Sequence, residues 1–406
     1  MKLKCVPEDF QVSELTDRRP STGSYSLYRL RKTSIGTPET LQLIGRNWNL
    51  SPRQISHGGL KDRHAVTTQF ITIRRGPQTD LEHDRFQLQY LGPTESAYGA
   101  ADITGNRFEI VLRSLSADVS RTVQARQAIV GSRGFPNYFD EQRFGSLGAS
   151  GEFVAAKWCL KDYERALWLA LADHNRHDDA AERRQKQVLR DQWGHWDDCK
   201  QQLERSHRRS IVTYLMDHPT KFRKAFGLLN ENLRGLYLSA FQSAVWNRML
   251  SDVLQRAESE TGATWHRMKI GDAQLPFPAG DDTVSEIVGE LPLPSSRCRG
   301  LTAEQRALCD AALQPYQMTL DQMKLSYPRD RWFSRGLRAT TTVPHELHVR
   351  LQDDDRYAGR QKATLSFELP RGCYATMLVK ALTGDGMAAA DDEFAGDEFE
   401  VPEGDA

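Results

Sequence analysis

The stretch GGLKDRHAVTTQF, Gly58 to Phe70, sets an aspartate between a lysine and an arginine, behind two glycines and ahead of an apolar run. From Val66 to Ile73 the chain is rich in β-branched and aromatic residues, which suit a pleated surface, so a strand is expected over 66–73. Asp62 then falls on a loop or strand end, beside a Gly-Gly turn that lets another backbone come close. Taken alone, a Lys-Asp-Arg run is an ordinary turn with a solvated ion pair, because surface ion pairs are common and weak. The rest of the chain decides whether this aspartate does more.

Outward from that stretch, residues 1–150 read as mixed α/β. A second strand is expected over Asn106–Arg113, where Phe108, Ile110 and Leu112 share one face. From about 155 to 260 the pattern is helical. The segment 161–210 is dense in charged and amide residues with sparse apolar positions, as in solvated helices. Leu238, Phe241, Val245 and Met249 recur at helical spacing within Gly235–Met249. Pro and Gly cluster at 271–300, which predicts loop. Strand character returns at His345–Leu351 and Ala363–Leu369, and a helix is expected over Tyr374–Leu382. Strand-rich ends around a helical middle predict one sheet-based domain interrupted by an inserted helical one. The expected partition is 1–154 and 336–388 for the sheet domain, 155–335 for the insertion, and 389–406 for an acidic, disordered tail.

At 406 residues the chain is long enough for two or three cores. With 39% hydrophobic and 27% charged residues it has a soluble globular profile, and no run of 18 apolar residues predicts a membrane span. The N-terminal MKLKCVPEDFQVSEL does not read as a secretory signal. Six cysteines without CxxC spacing indicate neither a disulfide framework nor a zinc ribbon, which fits a cytoplasmic home. The net charge of zero is misleading. The tail from Asp391 holds eight acidic residues, and without it the body carries 54 basic against 46 acidic residues. A mildly basic body suits a polyanion partner.

Metal ligation is poorly supported. His174 and His177 are three apart, but the adjacent Asp178 and Asp179 fit a polar surface, and structural zinc needs four spaced ligands. The acidic pairs Glu8-Asp9 and Asp281-Asp282 would suit a metal-dependent hydrolase or nuclease, yet no coordination motif surrounds either. There is no P-loop, no GxGxxG after a strand and no GxSxG elbow. The glycine-rich RFGSLGASG, Arg143 to Gly151, lacks the Walker lysine and threonine and reads as a flexible loop. GFPNYFDEQRFG, Gly134 to Gly145, gathers four aromatics, the Asn137 amide and Arg143. It is either a core loop with buried rings or a base-binding platform, with a ring face for stacking, an amide for edge reading and an arginine for phosphate.

Two stretches together, GGLKDRHAVTTQF and GFPNYFDEQRFGS, resemble the signature segments of the TruD family of tRNA pseudouridine synthases. LKCVPEDFQVSEL, GNRFEIVLR, GLYLSAFQSAVWNRML and LPRGCYATMLVKAL are similar to further family segments, in the same order, between about residues 3 and 385. The resemblance implies an α+β fold: a mixed sheet with flanking helices, carrying a large, mainly helical insertion. It also implies isomerisation of uridine to pseudouridine, most often at position 13 of tRNA, with no cofactor and no required metal. It places the catalytic aspartate on Asp62, its basic partner on Lys4, the stacking phenylalanine on Phe139 and the motif asparagine on Asn137. No membrane and no obligate protein partner are implied. Asp140 departs from the pattern, standing where glycine is expected, and the region 155–335 matches only in patches.

These residue types suit that chemistry. The N1–C1′ bond breaks, the uracil turns, and C5 joins C1′. Nothing is oxidised or reduced, so no redox cofactor is called for. The base must first be exposed. One carboxylate must be ionised, a nearby cation keeps it so, and an aromatic face holds the detached ring. Three roles are open to Asp62: attack at C1′, attack at C6, or removal of the C2′ proton. Lys61 and Arg63 suit phosphate contacts or structural ion pairs. The competing class is an RNA-binding protein without catalysis on the same fold.

Overall fold

The computed structural model describes residues 1–176, 178–262, 265–271, 273–277, 289–328 and 330–384. They fall in two compact units: Met1–Asn137 with Phe277 and the described chain from Thr341 on, and Tyr138–Pro276 with the described residues from 289 to Thr340. The first unit is built on a nine-stranded mixed sheet. Its strands are β1 (Phe10–Thr16), β2 (Tyr25–Thr33), β3 (Ile55–His57), β4 (Val66–Arg74), β5 (Leu81–His83), β6 (Phe86–Thr94) and β7 (Ile103–Leu115), with His345–Asp353 and Gln361–Pro370 from the C-terminal part. The spatial order is His345–Asp353, Gln361–Pro370, β7, β1, β4, β2, β6, β5, with β3 also paired to β4. The β1–β4 pair is parallel. Two stretches remote in sequence thus feed the sheet centre side by side, and the loop before β4 emerges beside the chain that enters β1.

The strands follow their side-chain pattern. On β7, Phe108, Ile110 and Leu112 are buried while Arg107 and Glu109 are exposed, as period-two alternation requires. Helix α1 (Thr37–Trp48) has Pro38 in its first turn and ends on Asn49 in the left-handed region. It covers the outer strands by packing Ile44 with Tyr28, Leu30, Ile71, Ile73, Phe86 and Leu88. Helix α2 (Ala117–Arg133) starts on a Ser116 cap and packs against the helix Ala375–Thr383, whose residues are all buried. Gly134 ends α2 at φ +80°, and a Cβ there would lie 2.3 Å from the Thr342 carbonyl oxygen. Only glycine fits both the angle and the approach.

One buried cation ties the N-terminus to the sheet. Arg113 donates to both Asp9 carboxylate oxygens at 2.9 and 2.8 Å, to Asp354 at 3.2 Å and to Asp355 at 3.0 Å. Its backbone exchanges hydrogen bonds with Lys2 at 2.8 and 2.9 Å. The segment from Lys2 to Asp9 is therefore pinned at both ends by one residue.

The second unit is mainly helical. Six short helices, Val154–Cys159, Tyr163–Leu171, Ala180–Gln192, Trp196–Gln202, His207–Asp217 and Phe222–Gly227, precede the long helix Glu231–Thr261, and Ala303–Leu313 follows. On the long helix Leu238, Phe241, Val245 and Met249 are buried as their spacing predicts, and Gln242 and Asn247 are buried too. The loop expected over 271–300 is a strand at each described end. Ala273–Phe277 pairs with His266–Ile270, and Glu290–Pro292 pairs with Leu337–Ala339. Burial of Leu275, Phe277 and Leu291 outweighs the local Pro and Gly signals. The glycine-rich loop read as flexible is braced: Ser150 Oγ donates to Asp173 at 2.5 Å, and Asn175 Nδ2 donates to the carbonyls of Gly145 and Leu147 at 2.7 and 2.9 Å. Gly148 lies against the Asp173 carboxylate, where any Cβ would clash, so the loop closes on an acid and is no anion cradle. His177, Asp281, Asp282 and the tail 389–406 lie outside the described residues. No helix among the described residues is long and apolar enough to cross a membrane.

Burial alone would raise the Asp354 carboxyl, but the N–H groups of Ser114 and Arg356 and the Arg113 guanidinium hold it below the usual carboxylate range. A carboxyl lowered in the folded state contributes stability that is complete above about pH 4 and is lost as pH falls below it. Arg113→Met leaves Asp9 and Asp354 buried without their cation. It is expected to cost about 3–5 kcal/mol in urea unfolding at pH 7, with the deficit shrinking toward pH 2. A variant as stable as the parent at pH 7 would contradict the pinning role.

Candidate active site

The loop from Gly58 to His64 leaves β3 and enters β4. Its backbone is held from below by polar side chains of the sheet and α1. Gln69 Nε2, on β4, donates to the Gly59 carbonyl at 3.2 Å, and His57 Nδ1 lies 3.1 Å from the same oxygen. Thr37 Oγ1 accepts the Lys61 N–H at 3.1 Å and donates to Gln69 Oε1 at 3.0 Å. Lys32 Nζ, on β2, reaches the Lys61 and Asp62 carbonyls at 3.2 and 2.7 Å. The neighbours nearest to Gly58 are the side chains of Ile103 and Tyr98, and nothing lies within 4 Å of a Cβ at Gly59. Gly58 therefore accommodates side-chain packing, and Gly59 faces open space.

Lys4 Nζ lies 2.8 Å from Asp62 Oδ2, with both side chains about one-fifth exposed. The ammonium also sits over the Phe10 ring, 4.3 Å from its centroid. Lys4 itself has φ +51°, a left-handed conformation that costs a lysine about 1–2 kcal/mol. The bracing of Lys2 and Asp9 by Arg113 sustains it, and an outlier so held beside a paired carboxylate has the character of a functional constraint.

The neighbours of Asp62 have partners of their own. Lys61 Nζ donates to Asn106 Oδ1 at 2.6 Å and pairs at 3.3 Å with Glu14, whose carboxylate is fully buried and also accepts the Phe70 N–H. Arg63 pairs with Glu39 at 3.3 Å on the surface, and Arg85 shares that carboxylate. Lys61 thus faces inward, and of the two cations flanking Asp62, Arg63 is the exposed one.

Phe139 and Arg143 belong to the second unit, Asn137 to the first. Asn137 is buried. Phe139 is buried as well, with the Trp246 ring edge-on at 5.5 Å, the Arg338 guanidinium over its face at 3.9 Å and that of Arg143 at 5.5 Å. Its backbone is clamped by Asn247: Oδ1 accepts the Phe139 N–H and Nδ2 donates to the Phe139 carbonyl, each at 2.8 Å. Asp140 fits its position, because its carboxylate accepts the Glu141 N–H at 2.8 Å and caps the turn Glu141–Phe144. Sequence reasoning missed Asn247, Trp246 and Arg338. An amide inside an otherwise apolar helical stretch was the available signal for Asn247. Among the described residues no group of His, Cys, Asp and Glu could hold a metal ion.

The family model described as tRNA pseudouridine synthase D (TruD) matches residues 1–382. The chain belongs to this family. It is 28% identical over 399 residues to the tRNA pseudouridine synthase D of Leptospira interrogans, covering 94% of this chain and 95% of that protein. The corresponding Aquifex aeolicus protein is 25% identical over 397 residues, covering 94% and 98%. A crystal structure of a TruD protein from Methanosarcina mazei superposes with a TM-score of 0.70 at 22% identity, over 94% of this chain and 93% of that one. That likeness supports the α+β fold.

Replacing Asn247 with leucine removes both of the bonds by which the long helix grips the Phe139 backbone. At about 1–3 kcal/mol for each bond lost from a buried group, Asn247→Leu is expected to destabilise the protein by about 2–6 kcal/mol in urea unfolding. A loss below 1 kcal/mol would show that the clamp is dispensable.

Proposed function

We propose that this protein isomerises uridine to pseudouridine in tRNA, at position 13, with Asp62 as the catalytic carboxylate and Lys4 as the cation that keeps it ionised. The observation that carries this reading is the Lys4–Asp62 pair at 2.8 Å in a chain of the TruD family. An ammonium in contact with a carboxylate favours its charged form, the one that attacks carbon or takes a proton. The reaction moves the glycosidic bond from N1 to C5; N1 gains a proton and C5 loses its hydrogen to solvent. No electron acceptor is needed.

Phe139 supplies the ring that holds the detached uracil, and Asn137 and Arg143 serve the RNA. Arg63, beside Asp62 on the surface, suits a phosphate. Lys61 contributes through its inward ion pair with Glu14 and helps fix the loop. The Arg338 guanidinium over the Phe139 ring supports this reading, since guanidinium groups and bases both stack on aromatic faces. A tRNA substrate and six free cysteines support a cytoplasmic setting.

Tritium release from mixed tRNA carrying [5-³H]uridine, without added metal, reads the C5–C1′ bond directly. Asp62→Asn is expected to bind tRNA and release nothing; turnover by it would remove Asp62 from the reaction. Phe139→Ala is expected to lose the ~1–3 kcal/mol of a base–aromatic stack, a fall of about 5- to 150-fold in rate. An unchanged rate would remove the stacking role. No tritium release by wild type with intact tRNA binding would overturn catalysis on tRNA and leave the non-catalytic reading standing.

A further inference from the structure

Lys32 is a lysine where β2 calls for an apolar residue. It is almost wholly buried, opposite Thr67 on β4 and Phe86 on β6. Its ammonium meets three backbone carbonyls: Ile35 at 2.7 Å, Lys61 at 3.2 Å and Asp62 at 2.7 Å. An ammonium has three donors and no acceptor, so every proton is used and no carboxylate is bound. Buried lysines are ordinarily paired with an acid. This one is spent on main chain, and two of its three acceptors belong to the Lys61–Asp62 peptide pair. Asp62 is thereby held by two lysines, Lys32 on its backbone oxygen and Lys4 on its carboxylate.

We propose that Lys32 is a positioning residue for the uridine isomerisation, its ammonium tying the Lys61–Asp62 backbone to β2 and so fixing the aspartate against Lys4 for reaction. This rests on Asp62 being the reacting carboxylate. The ammonium draws two successive carbonyls to one point, which sets the backbone from which the Asp62 side chain departs. A neutral amine offers two protons to three carbonyls and turns a lone pair toward one of them, so the tie depends on the charged form. Burial pushes the Lys32 amine down to about 8, against the Asp62 charge, which raises it, and with the Lys61 charge, which lowers it. The strand partners Thr67 and Phe86 are uncharged. The tie therefore loosens as pH rises through about 8.

The test is single-turnover tritium release by full-length protein from mixed [5-³H]uridine tRNA between pH 6.5 and 9.5, with filter binding of the same tRNA at each pH. The wild-type rate is expected to fall about tenfold per pH unit above pH 8 while tRNA affinity holds. Lys32→Met is expected to be about 100-fold slower at pH 7, the order of loss that a 1 Å misplacement produces, with tRNA affinity within about twofold and no alkaline limb of its own. A wild-type rate level to pH 9.5 would overturn the inference, and that measurement needs no variant to fold. So would a Lys32→Met rate within threefold of wild type, or a rate loss matched by equal loss of tRNA binding. Asp62→Asn runs alongside. If it turns over, the reading of Asp62 fails first; if it is silent while Lys32→Met is active, the Lys32 inference alone fails.

Discussion

Lys4 and Asp62 are 58 residues apart in sequence, and bringing their charges to 2.8 Å strips water from both. The attraction offsets that loss only if the geometry is held without further cost, and much of the first unit can be understood as the means of holding it. The parallel pairing of β1 with β4 sets the two approaches side by side. Arg113 fixes the strand entry that carries Lys4, down to a left-handed backbone. The Phe10 ring gives the ammonium a second favourable surface that competes with no proton acceptor on Asp62. Each device restricts a position without donating to the carboxylate, so the Lys4 ammonium keeps its place against Asp62.

Beneath the loop, the sheet breaks its own pattern. Glu14, Lys32, Thr67, Gln69 and Thr72 are buried on strands that elsewhere bury Leu, Ile and Phe. An apolar residue at Lys32 or Gln69 would pack, but it would release a loop that has no ladder of its own. Polar side chains from below replace the missing strand partners. Burying them costs desolvation, and bonds to the loop main chain offset it. Among these breaks Lys32 and Gln69 spend their side chains on the main chain of the segment that carries Asp62.

The strands at 66–73 and 106–113, the helix after Gly372 and the apolar face of the long helix were legible because each is written in local periodicity. The Asp62 segment was legible through its motif. Lys32 and Asn247 were not, for one reason: each spends its side chain on backbone atoms remote in sequence, and backbone atoms have no letter. A lysine at position 32 reads as an exposed strand residue until its three carbonyls are seen. Likewise Ala273–Phe277 is punctuated as loop and becomes strand through burial of Leu275 and Phe277, which the local pattern does not carry.

The same solution recurs in the second unit. Asn247 grips the N–H and carbonyl of Phe139 as Lys32 grips the carbonyls beside Asp62, and in both cases the gripping side chain comes from a regular element. Holding the main chain fixes where the held side chain departs without occupying that side chain. Asp140 follows Phe139, and its carboxylate is used as the cap of the next turn. Variation in the clamp, far away in sequence, thus acts on the backbone of the clamped residue itself.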